Sequence, residues 1–221
     1  MHQAQGMDAR TEVGVIGTMK TNEILNFAMR KKTARMMREG RDRLTVRRLE
    51  KDGTIIPTQK ADAYHETGHA IAALFVGVDV EKVYVGNHVS GGQIVGGACI
   101  TLGASDAPAP DSVFLRMAGS VAEFKSGLLM SPAAIEEAAT DGSSADISRA
   151  KQGMISAFTA ASIAFSSQDL EDGIIAGRKR AKEFFEDPKV WGCVVEVAEL
   201  LWQKKELSGE EVKEIYRRRI G

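Results

Sequence analysis

Cysteine, proline and aromatic residues are all scarce in this 221-residue sequence. It contains 2 cysteines, 5 prolines and 6% aromatic residues. Cys99 and Cys193 form no CxxC pair, so a disulfide scaffold and a CxxC redox or zinc motif are excluded, and we expect two reduced, buried thiols. The composition, 43% hydrophobic and 27% charged, also excludes a largely disordered or collagen-like chain.

The sequence also lacks net charge and long apolar runs. Its 29 basic and 30 acidic residues give a net charge of −1, so no global field attracts nucleic acid or anionic lipid. The first residues lack the basic and apolar regions of a signal peptide. The apolar run Ala70–Val78 is about half the length of a membrane helix. We therefore expect a soluble cytoplasmic protein with no membrane partner.

Local charge is uneven near the N-terminus. Between Lys20 and Lys51 there are eleven basic and four acidic residues, and Pro57 separates this segment from the next predicted helix. We predict an N-terminal basic helical arm over residues 1–59. The arm either binds an acidic partner, a membrane surface or nucleic acid, or packs with a solvated cationic face, and the second interpretation is the commoner one. No aromatic platform interleaves the charges, which argues against single-stranded nucleic acid as its partner.

The remaining residues, 60–221, have the pattern of a mainly α domain with a small β-sheet, an α+β class. A helix over Thr58–Val76 should end at Gly77. Two strands should come next, Glu81–Gly86 and Gln93–Leu102, joined by a turn-rich connection. Beyond them we predict a helix at Asp111–Gly127, a loop over 130–142 with one helical turn, and a C-terminal helical bundle with helices from Ser143, Leu170, Asp187 and Ser208.

The segment that indicates chemistry is His65-Glu66-Thr67-Gly68-His69, an HExxH motif on the first predicted helix. Residues four apart share one helix face, so both imidazoles can reach one Zn²⁺. Glu66 projects beside the open position of such a metal. There it could take a proton from a zinc-activated water and pass it to the leaving amine.

HExxH also occurs by chance on ordinary helices, so its surroundings matter. The flanking residues are small and apolar, and burying two histidines and a glutamate is costly unless they are paired or metal-bound. A catalytic zinc needs a third protein ligand. The extension HExxHxxGxxH fails, because Ala72 and Phe75 occupy the Gly and His positions. The acidic candidates are Asp111, Glu123, Glu136, Glu137, Asp141 and Asp146. Two histidines are less favoured: His2 lies at the chain terminus, and His88 falls in a predicted turn.

Beyond the motif, the sequence resembles the protease domain of FtsH-type ATP-dependent zinc metalloproteases. The resemblance covers about Lys60 to Tyr216. It is carried by the HExxH segment and by four further stretches: Arg116–Glu123, Gly142–Ala150, Ala198–Lys205 and Leu207–Val212. It implies a zincin-like HExxH helix followed by a helical bundle, with His65, His69 and Asp146 as zinc ligands and Glu66 as the catalytic residue.

The resemblance also implies how a substrate would be held. In that family the edge strand of a small sheet pairs with an extended peptide, and the matching positions here are Gly92–Ala98, including Ile94, Val95, Gly96 and Gly97. Main-chain pairing tolerates varied side chains. The same glycines could instead mark bulges or turns. No GxGxxG or Walker motif is present, so we expect no bound nucleotide and no ATP-driven unfolding.

These observations predict a zinc metallopeptidase that hydrolyses peptide bonds in flexible or partly unfolded polypeptides, alone, as a homo-oligomer or with a partner acting in trans. The alternative is a catalytically silent, zinc-containing interaction module of the same fold. A third possibility, a protease that clips a DNA-bound repressor, would need a helix-turn-helix over residues 20–51, and none is evident there.

Overall fold

The computed structural model describes residue 51 and residues 58–90, 93–102, 109–128 and 144–221. The basic arm predicted for residues 1–59 lies outside this part of the chain, apart from Lys51, Thr58 and Gln59. The predicted loop over 130–142 also lies outside it, as do the candidate ligands His2, Glu136, Glu137 and Asp141.

The predicted fold class is confirmed, because the described residues are mainly helical with one small antiparallel sheet. In chain order the elements are α1 (Lys60–Phe75), β1 (Asp79–Ser90), β2 (Gln93–Leu102), α2 (Ala109–Ser126), α3 (Ser144–Ala160), α4 (Ser167–Glu186), α5 (Pro188–Lys204), β3 (Glu206–Ser208) and α6 (Gly209–Ile220). Within the described residues no helix is long and apolar enough to cross a membrane.

Helix α1 begins and ends close to the positions predicted from the sequence. At its start, the backbone N–H of Gln59 donates to the Asp62 carboxylate at 2.8 Å. This hydrogen bond caps the first turn of the helix. At its end, Gly77 adopts a φ of +77°, a left-handed conformation that glycine reaches at little cost. Five alanines and Ile71 of α1 are buried, so most of the helix surface faces protein.

The sheet is longer and has one more strand than predicted. Its strand order is β2-β1-β3, with both pairs antiparallel. The connection predicted over Asn87–Gly92 is wrong in part: the β1 ladder continues to Ser90, paired with Gln93, and only two residues separate the strands. The register shifts between Val80 and Lys82 and again between Val85 and His88. Gly86, within the second shift, has a φ of +131°, which glycine adopts readily.

Strand β3 was not predicted, since three residues are too few for a recognisable pattern. It pairs with β1 from Lys82 to Tyr84. Leu207 at its centre is fully buried. The strand therefore anchors the start of α6 to the sheet.

Two helices begin earlier than predicted. Helix α2 starts at Ala109 rather than Asp111, because Pro110 is tolerated in a first helical turn. Helix α4 starts at Ser167 rather than Leu170, because Ser166 caps it by accepting from the backbone N–H of Asp169.

Helices α1 and α2 pack with their backbones unusually close. A β-carbon placed on Gly68 of α1 would lie 2.6 Å from the carbonyl oxygen of Ala118 and 2.7 Å from the β-carbon of Ala122. Small residues on both helices permit this approach. The contact brings the HExxH face of α1 against α2, with α3 also packed on α2.

Candidate metal centre

Three side chains converge on one point between α1 and α3. The Nε2 atoms of His65 and His69 lie 3.1 Å apart. The Oδ2 atom of Asp146, in the first turn of α3, lies 3.2 Å from Nε2 of His65 and 3.4 Å from Nε2 of His69. Asp146 is 5% exposed. Within the part of the chain that the structure describes, these three residues form a group able to hold a metal ion.

The spacing of the three ligand atoms fits a tetrahedral cation. Zinc bonds of about 2.0–2.1 Å place neighbouring ligand atoms about 3.3–3.4 Å apart at the corners of a tetrahedron. The three observed separations, 3.1, 3.2 and 3.4 Å, lie close to that value. Three protein ligands leave one corner of the tetrahedron for another group, as catalytic zinc sites require.

The second nitrogen of each imidazole is held by α2. Nδ1 of His69 donates a hydrogen bond to the carbonyl oxygen of Leu115 at 2.7 Å, and Nδ1 of His65 pairs with the Glu123 carboxylate at 2.9 Å. Because a carbonyl can only accept, Nδ1 of His69 carries the proton and its Nε2 presents a lone pair. A carboxylate or backbone carbonyl behind each imidazole is the usual support of a metal-binding histidine.

The electrostatics of the group favour a positive charge at its centre. Burial lowers the pKa of His65, but its hydrogen bonds with Asp146 and Glu123 outweigh this effect and raise the pKa to about 10. Burial raises the pKa of Asp146, but the two histidines outweigh it and hold that pKa well below its usual range. Two facing imidazole nitrogens and a buried carboxylate therefore need a proton or a metal cation between them.

A glycine on α2 makes room for the ligand atoms. A β-carbon on Gly119 would lie 2.4 Å from Nε2 of His69 and 2.8 Å from Nε2 of His65. Real β-carbons do not come so close to such atoms, so only glycine fits at this position. The backbone of α2 forms one wall of the centre directly.

Glu66 lies beside the same centre, against the sheet. A β-carbon on Gly97 of β2 would lie 3.0 Å from Oε1 of Glu66, so the strand passes close to this carboxylate. Burial raises the pKa of Glu66, although the neighbouring histidines oppose the shift. A carboxyl group with a raised pKa can both accept and return a proton near neutral pH.

An open cleft exposes this group of residues to solvent. Its walls come from α1, β2, α2 and α3, and its lining residues are His65, Glu66, His69, Ala73, Ala98, Cys99, Thr101, Ser112, Leu115, Arg116, Asp146 and Arg149. The prediction of two buried thiols is therefore wrong for Cys99, which is partly exposed in the cleft wall, whereas Cys193 is buried.

Three of the other candidate ligands lie in the described residues, and none of them belongs to the group of converging ligand atoms. Asp111 pairs with Arg180 at 2.6 Å, and Glu123 supports His65 from behind. His88, predicted in a turn, lies in β1 opposite Val95, where the ladder continues. Of the residues predicted to bind substrate, Ile94, Val95, Gly96 and Gly97 all lie in β2.

Several residues that shape the site were not identified from the sequence. They are Arg116, Gly119 and the backbone carbonyl of Leu115, all on α2. Arg116 and Gly119 lie in a stretch that carries the family resemblance, but neither was assigned a role, and Leu115 lies just before that stretch. The available signal was the spacing of Arg116, Gly119 and Glu123, three and four residues apart, which places them on one helix face.

Comparison with known proteins does not identify a family for this chain. A scan against protein-family models finds no matching family, and a search of curated proteins finds no match.

Proposed function

We propose that this chain is a zinc metallopeptidase similar to the FtsH-type protease domain. In this proposal His65, His69 and Asp146 bind Zn²⁺, and Glu66 is the general base and acid. The observation that carries it is the convergence of three ligand atoms at tetrahedral spacing, with both imidazoles held at Nδ1 and Glu66 in the same cleft.

The chemistry divides between the metal and the side chains. When bound, zinc supplies Lewis-acid polarisation of the peptide carbonyl and lowers the pKa of water. The Glu66 carboxylate takes the proton from the attacking water and then delivers it to the leaving amine. Its partly buried position beside Gly97 supports this role, since burial raises its proton affinity.

Strand β2 is the proposed binding surface for the substrate. Among the described residues β2 pairs only with β1, so its other edge has no described partner. An extended peptide could pair there with the main chain of Ile94, Val95, Gly96 and Gly97, and Gly97 would bring it close to Glu66. This mode suits flexible or partly unfolded polypeptides, whose backbone is free to adopt a strand.

The experiment compares cleavage and metal content in the wild type and Glu66→Gln. We expect the wild type to cleave casein and unstructured peptides with one zinc per chain. Glu66→Gln should keep its zinc and lose about 10²–10⁴-fold in rate. Glu183→Gln, an exposed substitution on α4, is the matched control and should retain full activity.

The outcomes separate the proposal from its alternative. Equal cleavage by wild type and Glu66→Gln would contradict the proposed mechanism. Stoichiometric zinc with no cleavage by either protein would support a catalytically silent interaction module instead. The open cleft at the three ligands favours catalysis, because structural zinc sites are closed by four protein ligands.

A further inference from the structure

A positive side chain lies in the same cleft without a role in the proposed mechanism. Arg116 on α2 is partly buried and lines the cleft together with Ser112 and Leu115. It lies three residues before Gly119 and therefore one helical turn from the backbone that touches the two histidines. It lines the same cleft as His65 and His69.

Arg116 shares the cleft with the strand that is the proposed substrate surface. Ala98, Cys99 and Thr101 of β2 line the cleft together with Arg116 and Glu66. Burial raises the pKa of the Cys99 thiol and the charge of Glu66 adds to this, whereas the charge of Arg116 opposes it. A peptide bound along β2 at this cleft would therefore lie in the same cleft as the Arg116 side chain.

Arg116 has no acidic partner among the described residues. Other arginines of the chain do have one: Arg180 pairs with Asp111, and Arg218 pairs with Glu196. Arg149, at the mouth of the cleft, is 65% exposed and lies 3.9 Å from Oδ1 of Asp146. A partly buried guanidinium without a carboxylate is a ready donor for bidentate hydrogen bonds to an anion.

The charges lining the cleft add up in the same direction. A divalent cation at the centre would balance the negative charges of Glu66 and Asp146. Among the described residues that line the cleft, Arg116 and Arg149 would then leave an excess of positive charge. The field in the cleft therefore attracts carboxylates and repels lysine and arginine side chains.

We propose that Arg116 makes this chain selective for peptides that carry a carboxylate next to the scissile bond. The carboxylate is either a glutamate or aspartate side chain or the C-terminus of the peptide. This inference rests on the proposed peptidase function and names its substrate class.

The first test measures cleavage of matched peptides. Blocked peptides with Glu, Gln or Lys at each position flanking the scissile bond test the side-chain source. A Gln peptide with a free or an amidated C-terminus tests the terminal source. We expect kcat/KM about 10- to 100-fold higher for one of the two carboxylate types than for its neutral match, mainly through KM.

Substitution of Arg116 tests whether this residue carries the preference. Arg116→Gln should bring kcat/KM for the carboxylate peptide down to that of its neutral match, and Arg116→Lys should restore part of the difference. Arg217→Gln, an exposed arginine on α6 far from the cleft lining, is the control and should behave as wild type. Thermal unfolding and zinc content should be unchanged in all three variants.

A binding measurement separates failure of this inference from failure of the peptidase proposal. In the Glu66→Gln background, fluorescence anisotropy of labelled peptides should show tighter binding of the carboxylate peptide, and Arg116→Gln should remove the difference. If no peptide is cleaved by the wild type, the peptidase proposal fails and the binding arm alone decides the inference. Equal binding of all peptides, or an equal loss of kcat for all peptides in Arg116→Gln, would overturn it.

Discussion

The contact of α1 with α2 and the contact of α5 with α6 use different physical means to hold two helices together. At the first, Gly68 and Gly119 let the two helix backbones approach closely. The backbone at Gly119 lies directly against the imidazoles of His65 and His69. At the second, aliphatic side chains such as Leu201, Val212 and Ile215 are buried, and the helix start is fixed by a capping box at Ser208.

The difference concerns what each contact stabilises. The α5–α6 contact gains its free energy from apolar burial, with exposed ion pairs such as Lys204 with Glu211 adding little. The α1–α2 contact instead buries polar side chains, His65, His69 and Glu123, which are costly to bury without a central cation. The first contact should therefore depend on metal, and the second should not.

The largest effect that tests this comparison is metal removal. With free zinc at 100 to 1,000 times its dissociation constant, binding to the native state should add about 2.7–4.1 kcal/mol to the free energy of unfolding. Chemical unfolding with zinc and with chelator measures the difference. Asp146→Asn should lose most of the zinc effect, and Asp172→Asn on α4 is the control that should keep it. Zinc-independent stability of the wild type would break the comparison.

The second test concerns steric space at Gly119. Gly119→Ala should lower the free energy of unfolding by about 1–3 kcal/mol through overpacking, and it should abolish measurable zinc binding. Gly192→Ala on α5 is the matched control, since its β-carbon would meet nothing within 4 Å. It should stabilise the protein by about 0.4–1 kcal/mol. Normal zinc affinity in Gly119→Ala would show that α2 can move away freely.

The third test concerns the carboxylate behind His65. Glu123→Gln keeps the shape of the side chain but removes its charge, so zinc affinity should fall about 10- to 100-fold. Competition with a chromophoric chelator measures this affinity. The control Glu199→Gln removes a carboxylate that pairs with Lys60 at the start of α1 and accepts a hydrogen bond from the Tyr64 hydroxyl. It should leave zinc affinity unchanged.

The smallest effect concerns pH and the α5–α6 contact. Hydrogen bonds from Lys204 and Ser208 lower the pKa of Glu211 to about 2. Because its pKa is depressed in the folded state, Glu211 contributes stability that is present above its ordinary pKa near 4.5 and is lost as the pH falls toward 2. The effect should stay within about 1 kcal/mol, since the pair is exposed.

Its measurement compares the wild type with Glu211→Gln, which can still form the capping box. The difference in unfolding free energy between the two proteins should be largest at about pH 6 and should shrink by about pH 2.5. A difference that stays constant with pH would show that the charge of Glu211 has no part in holding α6.

Local patterns allowed much of this structure to be predicted from the sequence. The HExxH spacing predicted a common face for His65 and His69, and the motif Asp187-Pro188 predicted the start of α5, where the Asp187 carboxylate accepts two backbone N–H groups. Both depend on residues at most four positions apart. Such short-range geometry results from helix periodicity alone.

The parts that were not predicted depend on contacts distant in sequence. The pairing of β3 with β1 joins residues more than 100 positions apart. The approach of Gly119 to the histidines, and the position of Glu123 behind His65, appear only once α1 and α2 pack. No local pattern distinguished Asp146 from the other acidic candidates as the third ligand, and that expectation came from the family resemblance.

The most direct test of the metal centre is X-ray absorption at the zinc edge on purified protein with its zinc content determined. We expect one zinc per chain, bound by two imidazoles and two oxygen ligands at about 2.0–2.1 Å, with the oxygen contribution reduced in Asp146→Ala. Two results would contradict the proposed centre. One is a zinc–sulfur distance of about 2.3 Å, which would implicate Cys99. The other is purified protein that binds no zinc.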